Sequence, residues 1–187
     1  MIPPPPPGLR DEEEDVLVRR FRQPGQEGDE AYSELVRRYQ TRVVRLVGYL
    51  LGDASEAEDV SQEAFVRAFS ARDTFDRGDN FAAWIRTIAT RVAFNCRRDK
   101  ATRDRYHAEV EPPSATTSPA VEAEARNLLE QVLPQLSYAY REVLVLRYVE
   151  ELSIGEIANM LNLGESAAKM RLSRARDEFW VLEKSRA

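Results

Sequence analysis

The chain has 187 residues and a formal net charge of −5, and this average charge argues against binding to nucleic acid. The length allows one large domain or two small ones, and the apolar content is enough for compact cores. One cysteine and one histidine exclude an internal disulfide framework and leave little for metal binding or catalysis. We therefore expect no catalytic residue, no metal site and no cofactor. No apolar run approaches the ~20 residues of a membrane span and the first residues do not resemble a secretory signal, so we expect a soluble cytoplasmic protein.

Charge is concentrated in blocks along the chain. Residues 11–15 are all acidic, and residues 50–65 contain five acids and no base. Residues 84–105 contain seven bases and two acids, and residues 165–176 contain four bases and one acid. Two basic segments in an acidic chain could be sites for a polyanion, with acidic surfaces elsewhere, although each block taken alone could instead be a solvated helix face.

The N-terminal part of the chain predicts a tail and two helices. Residues 1–10 contain five consecutive prolines and are expected to form an extended, disordered tail. A short helix is predicted over residues 11–22 and ends before a Pro-Gly pair. Apolar residues then recur at steps of three and four between residues 30 and 50, which predicts a long helix with one apolar face.

Two further helices are predicted before a linker. Ser55 and Glu58 form a candidate capping box, which would start a third helix by satisfying free amide groups. After a loop, Asn80 is expected to cap a fourth helix over residues 81–98. Residues 101–123 contain three prolines among Ser, Thr and Ala and predict a flexible linker.

Four helical segments follow the linker, over residues 122–133, 138–149, 154–161 and 166–182. No segment shows the alternation of apolar and polar residues that is typical of a strand. The predicted fold class is therefore all-α, with two small helical domains joined by a flexible linker.

The last two helical segments form a helix-turn-helix pattern. Ser153 and Glu156 make a second candidate capping box, and Asn162 stands in the turn, where it tolerates a left-handed backbone. At about 100° per residue, the predicted core face of the last helix consists of Ala168, Leu172, Ala175, Phe179 and Leu182. The residues that could read DNA bases or reach phosphates are Ser166, Ala167, Lys169, Met170, Ser173 and Arg174, flanked by Arg171 and Arg176. A basic amphipathic helix in an ordinary bundle is the alternative.

Two other helix faces are candidate binding surfaces. The fourth helix carries a polar stripe of Thr87, Arg91, Asn95 and Arg98, with Trp84 at its border. An aromatic ring beside cations can stack on an unpaired base, although Trp84 could instead belong to the core. On the third helix, Asp59, Gln62, Glu63 and Val66 lie opposite small apolar residues. This side is either a solvated face or a docking face for a basic partner.

Together these segments resemble the sigma-70 family of bacterial transcription initiation factors, in its extracytoplasmic-function (ECF) group. Residues 59–65, Asp-Val-Ser-Gln-Glu-Ala-Phe, are similar to the region 2.2 motif of that family. Residues 81–98, with Trp-Ile and Ile-Ala pairs, are similar to regions 2.3 and 2.4, and residues 152–176 to region 4.2. The matches follow the family's order over most of residues 11–182.

The resemblance implies a sigma-2 domain over residues 11–100 and a sigma-4 domain over residues 124–187, joined by a linker that runs toward the RNA exit path of polymerase. It implies that the polymerase β′ clamp helices bind Asp59, Gln62, Glu63 and Val66, and that the β subunit is a further partner. It implies that the −10 promoter element meets Asp79, Asn80, Trp84, Thr87, Arg91, Asn95 and Arg98. The last helix would read the −35 element, and an anti-sigma factor would hold the protein inactive.

The chain departs from the usual family pattern at several DNA-facing positions. Arg91 stands where the family usually has Asn, and Asn95 where it usually has Asp. Ala167 and Met170 replace the usual Thr and Ser or Thr of the recognition helix. These differences leave the promoter sequence open.

Two alternatives remain for a chain with these motifs. One is a sigma-like decoy that sequesters an anti-sigma factor, although such decoys usually carry a receiver domain. The other is a stand-alone helix-turn-helix repressor, which would not need an acidic docking helix. An enzyme is disfavoured, because no Gly-rich phosphate loop is present and no carboxylate pair is placed opposite a buried partner.

Overall fold

The computed structural model describes residues 13–75, 80–104 and 128–185, with the side chains of residues 100–104 excepted. Within these ranges the chain is helical and forms no strand, which confirms the all-α prediction. None of the helices in these ranges is long and apolar enough to cross a membrane. The predicted tail, Asp79 and residues 105–123 of the predicted linker lie outside the described residues.

The first four helices are α1 (Glu14–Phe21), α2 (Gln26–Leu51), α3 (Ala54–Ser70) and α4 (Phe81–Asp104), with a 3-10 turn at Arg72–Thr74 after α3. α2 begins ahead of the apolar pattern, because its first turn consists of polar residues that carry no periodicity. α4 continues past its predicted end at residue 98 and into the predicted linker. Residues 99–104 contain no glycine or proline that would stop a helix.

Helix caps were predicted at the starts of α3 and α4, and one of the two is present. The predicted box between Ser55 and Glu58 is wrong, because α3 already begins at Ala54 and Ser55 lies inside the helix. The carboxylate of Asp53 accepts hydrogen bonds from the Ser55 amide at 2.9 Å and from the Ser55 hydroxyl at 2.6 Å. The predicted Asn80 cap is confirmed, since the Ala83 amide donates to Asn80 Oδ1 at 3.1 Å.

The described residues divide into two compact units. The first consists of residues 13–45 and 58–96, and the second of residues 46–57 together with the described part of residues 97–185. An aromatic cluster fills the core of the first unit. Its rings belong to Phe21, Tyr32, Phe75, Phe81 and Trp84.

The second unit contains α5 (described residues 128–132), a 3-10 turn at Leu133–Gln135, α6 (Tyr138–Leu144), α7 (Ile154–Leu161) and α8 (Glu165–Lys184). The predicted helix over residues 138–149 is α-helical only to Leu144, because Val145–Val149 form a π-helical turn. α8 packs on both α6 and α7.

The side chain of Arg141 links several backbone segments in the core of the second unit. Its buried guanidinium donates to the backbone carbonyls of Leu133 (2.8 Å), Leu51 (2.6 Å), Pro134 (2.9 Å) and Leu136 (3.2 Å). Gly52 has φ +69°, and a Cβ at that position would overlap the guanidinium, so glycine meets two requirements there. Burial, and to a smaller extent the neighbouring Arg97, lowers the pKa of Arg141 to about 10, which leaves it charged at neutral pH.

Candidate nucleic-acid and protein interfaces

The helix-turn-helix predicted for the C-terminal region is confirmed by its local geometry. The Glu156 amide donates to Ser153 Oγ at 3.3 Å, and the Ser153 amide donates to Glu156 Oε2 at 2.8 Å, which completes the predicted capping box. Asn162 has φ 53° and lies in the left-handed region. The Leu163 amide donates to the Ala158 carbonyl at 2.8 Å, so α7 ends in a tight turn that leads into α8.

α8 divides into a buried face and an exposed face, as its periodicity predicts. Ala168, Leu172 and Ala175 are buried, whereas Met170 is 58% exposed. The predicted DNA-reading residues that are exposed are Ser166, Ala167, Lys169, Met170, Arg174 and Arg176, while Arg171 and Ser173 are half-buried. Phe179 and Leu182, predicted to be core, are only half-buried, because the described core does not extend to the end of this long helix.

Three exposed cations between residues 165 and 176 of α8 have no ion-pair partner among the residues that the structure describes. Within the described residues, no carboxylate forms an ion pair with Lys169, Arg174 or Arg176. A helix that presents small side chains and unpaired cations can contact both base edges and phosphates in a major groove. The exposed face of α8 is therefore a candidate DNA-binding surface.

Arg171 differs from these three cations, because it is paired inside the second unit. Its Nη1 donates to Glu142 Oε1 of α6 at 2.7 Å. Burial raises the pKa of the Glu142 carboxyl to about 7, against the opposing effect of Arg171. Sequence reasoning missed Glu142. Its place beside the apolar run 143–146 indicates burial, but nothing local identifies a partner 29 residues away.

The polar face of α4 lies beside the aromatic core of the first unit. The Trp84 ring centroid is 5.0 Å from that of Phe75 and 5.8 Å from that of Phe81, yet the side chain remains half-buried. The core interpretation of Trp84 therefore holds only in part, since the ring packs on the aromatic cluster and some of its area is accessible, and base stacking stays a prediction. Among the other residues predicted to meet the −10 element, Asn80, Arg91 and Arg98 are exposed. Thr87 and Asn95 are half-buried.

The predicted acidic face of α3 is exposed. Asp59, Gln62 and Glu63 are all accessible, and Val66 beside them is 62% exposed. The opposite side of the helix is buried, as predicted, at Ala57, Val60, Ala64 and Ala68. An exposed valine within an acidic surface suits a partner that offers both an apolar patch and basic groups.

Two family models match this chain in sequence. Residues 35–103 match the model of sigma-70 region 2, and residues 126–179 match that of sigma-70 region 4. The chain is 31% identical over 175 residues to the ECF RNA polymerase sigma factor SigW of Bacillus subtilis, covering 87% of this chain and 94% of SigW. It is also 31% identical over 177 residues to the ECF RNA polymerase sigma-E factor of Escherichia coli K12, with 87% and 90% covered.

Solved structures show the same fold at lower sequence identity. The sigma factor RpoE, solved with the anti-sigma factor NepR from Bartonella quintana, has a TM-score of 0.70 at 21% identity and is matched over 82% of this chain and 96% of its own. CnrH, solved with the cytosolic domain of CnrY, has a TM-score of 0.62 at 24% identity, with 93% and 99% covered.

Proposed function

Because this chain belongs to the sigma-70 family, in its extracytoplasmic-function group of transcription initiation factors, we propose that its three exposed helix faces have separate tasks in promoter recognition. A factor of this family binds core RNA polymerase and directs it to promoters. α3 docks on polymerase, α4 meets the −10 element and α8 reads the −35 element. The observation that carries the proposal is the helix-turn-helix whose second helix exposes Lys169, Arg174 and Arg176, none of which pairs with a carboxylate of the described residues.

The α3 face is proposed to bind the clamp helices of the polymerase β′ subunit. Val66 offers exposed apolar area, and Asp59, Gln62 and Glu63 surround it with acceptors for basic groups. An apolar centre with a polar rim is the common composition of a protein interface. Acidic side chains also repel DNA phosphates, so this face favours a protein partner over nucleic acid.

The α4 face is proposed to capture an unpaired base of the −10 element. Trp84 combines a packed ring with accessible area, so a base can stack on it without reordering the side chain. Arg91 and Arg98 are exposed along the same helix, where they can hold the phosphate backbone of the separated strand. Base capture then offsets part of the cost of unpairing the DNA.

Tight binding of promoter DNA by α4 and α8 together is proposed to require polymerase. Acidic segments repel duplex DNA, whereas two weak DNA-reading surfaces held on one polymerase gain effective concentration. The factor contributes binding and no chemistry of its own, and it works in the cytoplasm, where polymerase and promoters are found. The structural relative RpoE was solved with an anti-sigma factor, which supports control of this chain by such a factor.

The test is run-off transcription with core polymerase on genomic fragments, with and without this protein. We expect discrete transcripts only when the protein is present, and only weak binding of the free protein to the same fragments. A decoy would give no promoter-dependent transcript, and a stand-alone repressor would bind one fragment tightly without polymerase. Either result would overturn the proposal.

A further inference from the structure

The ion pair between Glu142 and Arg171 joins the DNA-reading helix to the buried core of its own domain. The 2.7 Å hydrogen bond runs from the middle of α8 to α6, and the Glu142 side chain is only 9% exposed. Hydrogen bonds between charged groups are directional and short, so this contact restricts both the rotation and the sliding of α8. Removing Arg171 would leave the buried Glu142 carboxylate without its counter-charge.

Near Arg171, the fully buried apolar face of α8 is made mostly of small side chains. Two of the three fully packed positions, Ala168 and Ala175, are alanines, and only Leu172 projects a large side chain. Alanines form low ridges that interlock little with a neighbouring helix. A side chain on a helix lies about 5–6 Å from the axis, so a rotation of roughly 10° moves it by about 1 Å. A shift of that size is enough to break contacts that must stay within hydrogen-bond distance of base edges.

Glu142 lies on a helix, α6, whose start is held by hydrogen bonds to the preceding turn. The neighbouring Arg141 donates to the carbonyls of Leu133, Pro134 and Leu136 in the turn that precedes α6. The helical residues Arg141 to Leu144 are all buried. Contacts therefore run without interruption from the turn before α6, through α6 and Glu142, to Arg171 on α8.

We propose that Glu142 is a positioning residue for −35 recognition, because through Arg171 it fixes the rotation of α8 and so sets which side chains meet the bases. The inference rests on the proposed function of α8. It assigns Arg171 a task inside the protein, in place of the phosphate contact expected from the sequence. Met170 and Arg174, which lie on the exposed face, then depend on a residue that never touches DNA.

The experiment measures binding of the complete holoenzyme to a promoter fragment found by run-off transcription. Affinity is compared between the native −35 element and one with transversions, at several salt concentrations. The variants are E142A, E142Q, R171Q and the double variant E142A/R171Q. R176Q is the matched control, because it removes from the same helix an exposed cation that pairs with no carboxylate of the described residues.

For E142A and R171Q we expect a loss of about tenfold in discrimination between the two elements, with an unchanged salt dependence. The double variant should lose no more than either single one, since both act through one contact. E142Q should lose less, because its amide oxygen can still accept from Arg171, and it serves as the test variant if E142A does not fold. R176Q should instead reduce the slope of log affinity against log salt by about 0.9, with discrimination kept.

The inference is overturned if R171Q reduces the salt slope as R176Q does, or if both Glu142 variants keep full discrimination. If instead the proposed function of α8 is wrong, the unmodified protein would show no preference between the native −35 element and the one with transversions. The coupling between the two residues can still be measured without DNA. The midpoint of urea unfolding should shift less in the double variant than the two single shifts combined, and additive shifts would contradict the inference.

Discussion

Replacing Glu142 with glutamine should remove most of the pH dependence of the second unit's stability between pH 5 and pH 8. Burial raises the pKa of the Glu142 carboxyl from 4.5 to about 7, and Arg171 opposes this effect without cancelling it. A carboxyl whose pKa is higher in the folded chain stabilises fully below its unfolded pKa, and this stabilisation is lost as the pH rises through the folded value. Each pKa unit corresponds to about 1.4 kcal/mol, so the free energy of unfolding should fall by about 3 kcal/mol across this interval.

Urea unfolding at several pH values provides the measurement. Trp180 lies in α8 and reports on the second unit, so the experiment uses a Trp84→Phe background to remove the signal of the first unit. Wild-type protein should lose stability from pH 5 to pH 8, whereas Glu142→Gln should give a nearly flat profile. Glu165→Gln is the control, because it removes an exposed carboxylate from α8 and should leave the wild-type profile unchanged.

The opposite slope in the wild-type protein would refute this reasoning. If stability rises from pH 5 to pH 8 and Glu142→Gln removes that rise, attraction by Arg171 outweighs the cost of burying Glu142. The pKa of the carboxyl would then lie below its ordinary value. Equal profiles in wild type and variant would show that Glu142 is not the titrating group.

Three further predictions concern the proposed interfaces of α3 and α8 and the cap of α7. Asp59→Arg should abolish binding to core polymerase in a pull-down while circular dichroism shows unchanged helix content, and Glu58→Arg, an equal charge change at another exposed position of α3, should bind nearly normally. Arg174→Ala should weaken holoenzyme binding by about 1–3 kcal/mol at promoters whose base it contacts, so unchanged promoter choice in run-off transcription would contradict a base contact. Ser153→Ala should cost about 1 kcal/mol of unfolding free energy through loss of the capping box, and an equal urea midpoint would argue against that cap.

Local patterns in the sequence predicted the elements that carry the candidate sites. The Ser153 capping box, the left-handed Asn162 and the Asn80 cap all depend on hydrogen bonds between residues at most five positions apart. The exposed faces of α3 and α8 follow from apolar periodicity alone. Where the local signal was ambiguous, as at Ser55, an earlier acidic residue competed for the same cap and the prediction failed.

Long-range contacts decided the remaining features, because no local pattern identifies partners that are far apart in the chain. Trp84 packs against Phe21 and Phe75, so only the tertiary structure could settle how much of its ring is covered. In the sequence nothing distinguishes Arg171 from the other cations of α8. The structure distinguishes it, because its Nη1 lies 2.7 Å from Glu142 Oε1. Periodicity and spacing thus determined which residues face outward on each helix. Tertiary packing decided which cation of α8 pairs with a buried carboxylate and which ones have no such partner among the described residues, because that carboxylate comes from another helix.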